Sequence, residues 1–221
     1  MTTAYPDERD VVVAAEGVYA PQEDSRVLID VLEKTGLAMG RRIADLCTGS
    51  GVVAMAAQGA SAVTAFDICA RAVRCARVNA VCAGVDVDVH LGSWARAVEF
   101  APFDLIVCNP PYVPHDPGVN NALPAMIGPA RAWDAGYDGR LVLDPLCEAV
   151  SNLLADRARL LLVQSEFAKP RRTLAALSSA GLDAEVIARQ WIPFGPVLAS
   201  RASWLGRPIV SIPAGARRSY S

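Results

Sequence analysis

Apolar positions along this chain follow two rhythms, one near the 3.6-residue helical repeat and one of short unbroken runs. Leu105-Ile106-Val107-Cys108, after Asp104, is such a run. Asn109-Pro110-Pro111 after it can continue neither a ladder nor a helix, because proline lacks the backbone donor and its ring fixes φ. A strand is therefore predicted to stop at Cys108, leaving Asn109 at its carboxyl end. Residues 42–46, 61–66, 85–91 and 158–164 read as further strands, and 11–14 as a short one. Val27, Leu28, Val31 and Leu32 give a helix its apolar face; it opens at Pro21-Gln22-Glu23-Asp24-Ser25, with acids in the first turn as the helix dipole favours, and Gly36 closes it. Helices are also predicted over 52–58, 70–83, 141–154 and 169–180. Two strands over 184–191 and 196–204, joined by a turn at Pro193-Phe194-Gly195, are expected to pair antiparallel at one sheet edge. An extended piece over 208–212 precedes a basic tail, 213–221, expected to be flexible.

Strands alternating with helices predict an α/β fold with a mostly parallel sheet. Asp45-Leu46-Cys47-Thr48-Gly49-Ser50-Gly51 joins the strand over 42–46 to the next helix, and glycines in such a turn let backbone approach a ligand closely. The strand after it ends at Asp67, where an acid can accept hydrogen bonds from both hydroxyls of a ribose. The interval 113–137 is rich in Pro, Gly and Asn and has no clear period. It is expected to be a substrate-side loop over Asn109.

Composition narrows the possible functions. A chain of 221 residues, 52% hydrophobic, can bury a sizeable core as one domain with elaborations. Its net charge of -2 supplies no global basic field for tight, sequence-independent binding of nucleic acid. The basic groups Arg71, Arg74, Arg77 and Lys169, Arg171, Arg172 are expected on solvated helix faces. Cysteines 47, 69, 75, 82, 108 and 147 form no C-x-x-C, and the histidines are His90 and His115, so reduced, mostly buried thiols are expected rather than a zinc site. No signal peptide or membrane span is read, and the expected location is the cytoplasm.

The candidate chemistry lies at the end of the strand that stops at Cys108. An Asn side-chain oxygen, a carbonyl held by the stiff Pro-Pro pair and the ring of Tyr112 together suit a planar amide or ring-bound NH2 group, with its two donors and its π face. The glycine turn fits two cofactors. Gly49-Ser50-Gly51-Val52-Val53-Ala54 matches a dinucleotide fingerprint with Ala in third place, which suits a NAD-binding dehydrogenase. Asp45 favours S-adenosylmethionine instead, because a carboxylate there would attract an ammonium and repel a pyrophosphate. No Tyr-x-x-x-Lys or His/Asp relay for hydride transfer is evident.

Val18-Tyr19-Ala20-Pro21-Gln22-Glu23-Asp24-Ser25, Asp45 to Gly51, Ala65-Phe66-Asp67-Ile68, Asp104 to Pro114 and Trp133-Asp134-Ala135-Gly136-Tyr137-Asp138-Gly139 together resemble the HemK/PrmC group of class I methyltransferases, in its short form. The resemblance implies a Rossmann-like fold of about seven strands, helices on both faces and an antiparallel C-terminal edge pair, in a single methyltransferase domain over 1–221. Residues 1–40 would form an extension beside substrate and cofactor, and 113–139 the substrate-side loop. It implies S-adenosylmethionine as cofactor. Ser25 would lie near its methionine end, Asp45 at its amino group, Cys47, Gly49 and Gly51 in the turn, Asp67 at the ribose, and Ser93 and Trp94 beside the adenine, with Tyr19 and Ile68 counted among the same contacts. Asn109, Pro110, Pro111 and Tyr112 would hold the substrate, with Asn109 also touching the cofactor.

The implied reaction is methylation of a glutamine amide in a translation release factor. An adenine N6 presents the same NH2 and is the alternative, and a small activating subunit is a partner that some relatives need. Cys47 stands where relatives usually carry Gly, and Leu91-Gly92-Ser93-Trp94 lacks the acid that they often place by the adenine.

Overall fold

The computed structural model describes residues 14–114, 130–192 and 197–198, and the backbone of 212–218. Five strands, β1 (Arg42–Leu46), β2 (Ala62–Asp67), β3 (Asp88–Leu91), β4 (Phe103–Cys108) and β5 (Leu154–Gln164), run parallel. With β6 (Leu182–Val186) and β7 (Ile212–Arg218) they form a seven-stranded sheet of order β3-β2-β1-β4-β5-β7-β6. β4 stops at Cys108, as the Asn-Pro-Pro sequence predicts.

Alternate residues of each strand face opposite sides and build two cores. On one side, Ile43, Val63, Leu105, Val107, Leu161 and Val163 pack against α1 (Glu23–Thr35), α2 (Val52–Ala56) and α3 (Ala70–Ala83). On the other, Leu46, Phe66, Ile106, Cys108, Leu160 and Leu162 pack against α4 (Leu143–Ala149) and α5 (Pro170–Ser179). Gly36 ends α1 in the left-handed conformation, its N–H donating to the carbonyls of Leu32 and Glu33. No described helix is long and apolar enough to cross a membrane.

The carboxyl-terminal strands depart from the sequence reading. β6 ends at Val186, and its antiparallel partner is β7, Ile212–Arg218, drawn from the segment expected to be extended and then flexible. β7 also pairs antiparallel with β5, so it lies between the two strands rather than at the edge. Pro213, Ala214, Gly215 and Ala216 show no apolar alternation, so the segment is recognisable as a strand only through its backbone pairing with β5 and β6. Residues 11–13, 193–196 and 199–211, which carry the expected first strand and most of the expected edge strand and its turn, lie outside the described residues. The helix expected over 141–154 is shorter and ends in a 3-10 turn, Val150–Asn152.

Candidate active site

Parallel register brings the functional residues to one level. Leu46 of β1 stands opposite Phe66 of β2 and Cys108 of β4. The residues that follow, Cys47, Asp67 and Asn109, therefore emerge side by side at the carboxyl edge. β1 is also where the strand order reverses, and the crevice at such a switch point is the place where α/β sheets bind ligands. A cavity of about 690 Å³ opens there, and every sequence-predicted site residue except Gly51 lines it.

The glycine turn is built from left-handed backbone, with φ of 63° at Cys47, 57° at Gly49 and 85° at Gly51. Gly51 is required by space as well: a Cβ there would stand 3.0 Å from the Cβ of Ala76 on α3. A Cβ on Gly49 would meet nothing within 4 Å. Cys47 takes the left-handed conformation with a side chain, at a cost of about 1–2 kcal/mol, and it packs on the core beside Cys108.

Two carboxylates organise the turn from below and from the side. Asp45 is 1% exposed; its Oδ2 accepts hydrogen bonds from Thr48 Oγ1 at 2.6 Å and from the Ala54 amide at 3.1 Å. Burial pushes its carboxyl up to about 7, against those two bonds, and the neighbouring Asp67 adds to the rise. Asp67 Oδ2 accepts from the Gly49 amide at 2.9 Å and Oδ1 from the Cys69 amide at 2.7 Å, so the acid also fastens the turn to the start of α3. Burial raises its carboxyl too, while the two amides and Arg131 pull it down. Each Asp67 oxygen retains a lone pair for a further donor.

On the substrate side, Asn109 Nδ2 donates to Ser25 Oγ at 3.2 Å. Asn109 and Pro110 both line the cavity, and neither Asn109 Oδ1 nor the Pro110 carbonyl accepts a hydrogen bond from a described residue. Consecutive residues of the cavity wall thus each keep an acceptor without a described partner, and an incoming NH2 group needs two. Tyr112 lines the cavity but is 9% exposed, and its hydroxyl donates to Asp24 Oδ2 at 2.5 Å. It is a fixed wall braced by α1. Tyr19 and Trp94 are half-buried in the cavity, Ser93 is exposed and Ile68 sits at the rim, 66% exposed.

Several contributors escaped the sequence reading. Asp24 reads as a helix-start acid, yet Gln22 is the N-cap and no side chain caps α1. Arg131, inside an interval without periodicity, lines the cavity and donates to Cys69 Sγ at 3.4 Å. Burial resists ionisation of Cys69, but the amides of Ala72 and Arg71 and the Arg131 guanidinium outweigh it and lower the thiol below its ordinary range.

The return segment braces the loop after Tyr112: the Val113 amide donates to the Trp133 carbonyl, and the Ala135 amide to the Val113 carbonyl, both at 2.9 Å. A Cβ on Gly139 would lie 2.6 Å from the Tyr112 carbonyl oxygen. Next to it, Arg140 is 2% exposed and donates to Asp144 at 2.8 Å, to the Ala168 carbonyl at 2.6 Å and to Thr173 Oγ1 at 2.5 Å. Lys169 and Arg172, read as part of a solvated face, reach across to Asp138 and Asp144.

These groups fit a ligand that carries an ammonium and a ribose. Asp24, Asp45, Asp67 and Asp134 line the cavity, with Arg131 as its one lining cation among the described residues, and the glycine turn stands between Asp45 and Asp67.

A model of the methyltransferase small domain matches residues 11–143. Over 191 residues the chain is 30% identical to a Methanocaldococcus jannaschii protein with the provisional name protein N5-glutamine methyltransferase, covering 84% of this chain and 91% of that one. It is 40% identical over 148 residues to the release factor glutamine methyltransferase of Rhodospirillum rubrum, covering 61% of this chain and 43% of that longer one. Among solved structures, the E. cuniculi Mtq2-Trm112 complex, responsible for methylation of the eRF1 translation termination factor, contains a chain that superposes with a TM-score of 0.65 at 25% identity, over 92% of this chain and 99% of that one. With the glycine turn, the acids beside it and the Asn-Pro-Pro-Tyr edge in one cavity, the chain belongs to the methyltransferase small domain family.

Proposed function

We propose that this protein transfers a methyl group from S-adenosylmethionine to the side-chain amide nitrogen of a glutamine in a translation release factor. The observation that carries the reading is that Asn109 and Pro110 line the same cavity as the glycine turn, with Asn109 Oδ1 and the Pro110 carbonyl both left without a donor among the described residues. The similarity to N5-glutamine and release factor methyltransferases, and to the chain of the eRF1-methylating complex, supports the choice of substrate. Likeness to that complex also supports a small activating subunit as a second partner. The chain would act as one methyltransferase domain over 1–221, with 1–40 and 113–139 beside the substrate; of these, 1–13 and 115–129 lie outside the described residues.

When bound, the cofactor supplies a methyl carried on a sulfonium. Asp45 would face its amino group and Asp67 its ribose, with Ser25 and Tyr19 toward the methionine end and Ile68, Ser93 and Trp94 toward the adenine. An amide nitrogen is a poor nucleophile because its lone pair is delocalised into the carbonyl. Asn109 Oδ1 and the Pro110 carbonyl accept its two hydrogens, which aims the nitrogen and stabilises the positive charge that develops there. Tyr112 and Pro111 give the planar group a wall. S-adenosylhomocysteine would be the leaving group, and the proton given up by nitrogen after transfer would pass to solvent water, so no dedicated base is needed.

Incubation with labelled S-adenosylmethionine and either a release factor or RNA and DNA tests the reading. Label in one glutamine of the release factor is expected; label in adenine alone would replace the proposed substrate, and label in neither would refute it.

A further inference from the structure

Building on the proposed methyl transfer, we infer that Asp24 is a positioning residue that holds Asn109 in its working orientation by bracing both ends of the Asn109-Pro110-Pro111-Tyr112 segment against the first turn of α1. Asp24 is 4% exposed, and each of its oxygens has a partner: Oδ1 accepts from the Ser25 amide at 2.7 Å and Oδ2 from the Tyr112 hydroxyl at 2.5 Å. Ser25 in turn receives the Asn109 Nδ2 hydrogen at 3.2 Å. Successive residues of α1 thus grip the first and last residues of a segment whose two middle residues are prolines with fixed φ. The result is a closed ring: Asn109 to Ser25, Ser25 to Asp24, Asp24 to Tyr112, and back along the chain.

The ring matters because an Asn amide has two nearly isosteric ends. Turned by 180° about its last bond, Asn109 would present NH2 to the substrate's NH2, donor against donor, and the clamp would repel what it must hold. The Ser25 hydroxyl oxygen selects the useful orientation by accepting Nδ2. Its own hydrogen finds no acceptor among the described residues and is available to a ligand. Asp24 acts one step back, on the Ser25 backbone and on the Tyr112 ring. A helix-capping role would not need a buried carboxylate facing a tyrosine 88 residues away.

The test uses the full chain as wild type, Asp24→Asn, Asp24→Ala, Tyr112→Phe and the double variant Asp24→Ala/Tyr112→Phe, with thermal melting to verify folding. Transfer to a release-factor substrate is expected to lose about tenfold to a hundredfold in kcat for Asp24→Ala, by analogy with small misplacements of a reacting pair. KM and affinity for S-adenosylhomocysteine should stay within about twofold. The double variant is expected to be no worse than the poorer single one, since both break the same ring. Fully additive losses, or an unchanged kcat in Asp24→Ala, would overturn the inference.

Side-chain amide NMR of Asn109 gives a second readout that needs no substrate. Its NH2 signals are expected to be rigid in wild type and mobile in Asp24→Ala, or in Asp24→Asn should the alanine variant not fold. Unchanged signals refute the brace even if wild type methylates the release factor. Mobile signals in a protein without transferase activity refute the proposed function and leave the brace standing.

Discussion

Asn109 Nδ2 lies 3.2 Å from Ser25 Oγ, joining a strand end to a helix start 84 residues earlier in the chain. The bond commits Nδ2 and leaves Oδ1 for the proposed role of acceptor for substrate. Asn109→Ala removes that acceptor without touching the glycine turn, Asp45 or Asp67. Transfer is expected to fall by about two decades or more, as when a transition-state hydrogen bond is removed, with affinity for S-adenosylmethionine nearly unchanged. Single-turnover transfer and calorimetry on the same variant check both halves; retained activity would rule out the clamp.

Asp67 carries the opposite expectation. Its carboxylate holds the Gly49 and Cys69 amides as well as the proposed ribose. Asp67→Ala should weaken S-adenosylmethionine binding by at least about tenfold, since charge-assisted hydrogen bonds contribute more than neutral ones. It should also lower the melting temperature of the ligand-free protein, because two amides lose their acceptor. Calorimetry showing no change in affinity would count against the ribose assignment.

The raised Asp45 carboxyl should make binding of the proposed cofactor pH-dependent. Its folded value, about 7, lies above the ordinary 3.8, so between those values the folded protein holds a proton that the unfolded chain has lost. Stability of the ligand-free protein should therefore fall as pH rises from about 4 to about 7 and level off above; Asp67, also raised, contributes in the same direction. An ammonium beside Asp45 favours the ionised form, so binding at pH 6 should release a proton and tighten toward neutrality. Calorimetry in buffers of different ionisation enthalpy measures that proton, and Asp45→Asn should abolish its release.

Gly136 and Gly139 offer a matched comparison. Both have left-handed backbone, φ of 76° and 74°, but a Cβ would meet Leu141 at an ordinary 3.5 Å in the first and the Tyr112 carbonyl at 2.6 Å in the second. Alanine at either position should lose about 1–2 kcal/mol from the backbone alone. Only Gly139→Ala should also reduce kcat, because the Tyr112 backbone must move. Urea melts and initial rates separate the two effects.

Arg140 anchors the same return segment. Arg140→Met keeps the volume and removes a buried guanidinium with bonds to Asp144, Ala168 and Thr173. Asp144 retains Arg172, at 2.5 Å, so the expected loss is about 3 kcal/mol, the lower end for breaking a buried ion pair. A urea midpoint like that of wild type would show the network to be dispensable.

The chain by itself determined the parallel core and the contents of its ligand edge. Short apolar runs followed by Cys-Thr-Gly, Asp and Asn-Pro-Pro mark where β1, β2 and β4 end, because strand formation and proline termination are local properties of the backbone. Tertiary structure alone decided which side chains finish the site. Asp24, Arg131 and Arg140 owe their roles to partners tens of residues away, and no spacing encodes such pairs. The same holds for β7, whose small residues carry no apolar rhythm and whose place comes from two neighbouring backbones. Periodicity records which face of an element is apolar; it does not record what that face or its hydrogen-bonding edge will meet.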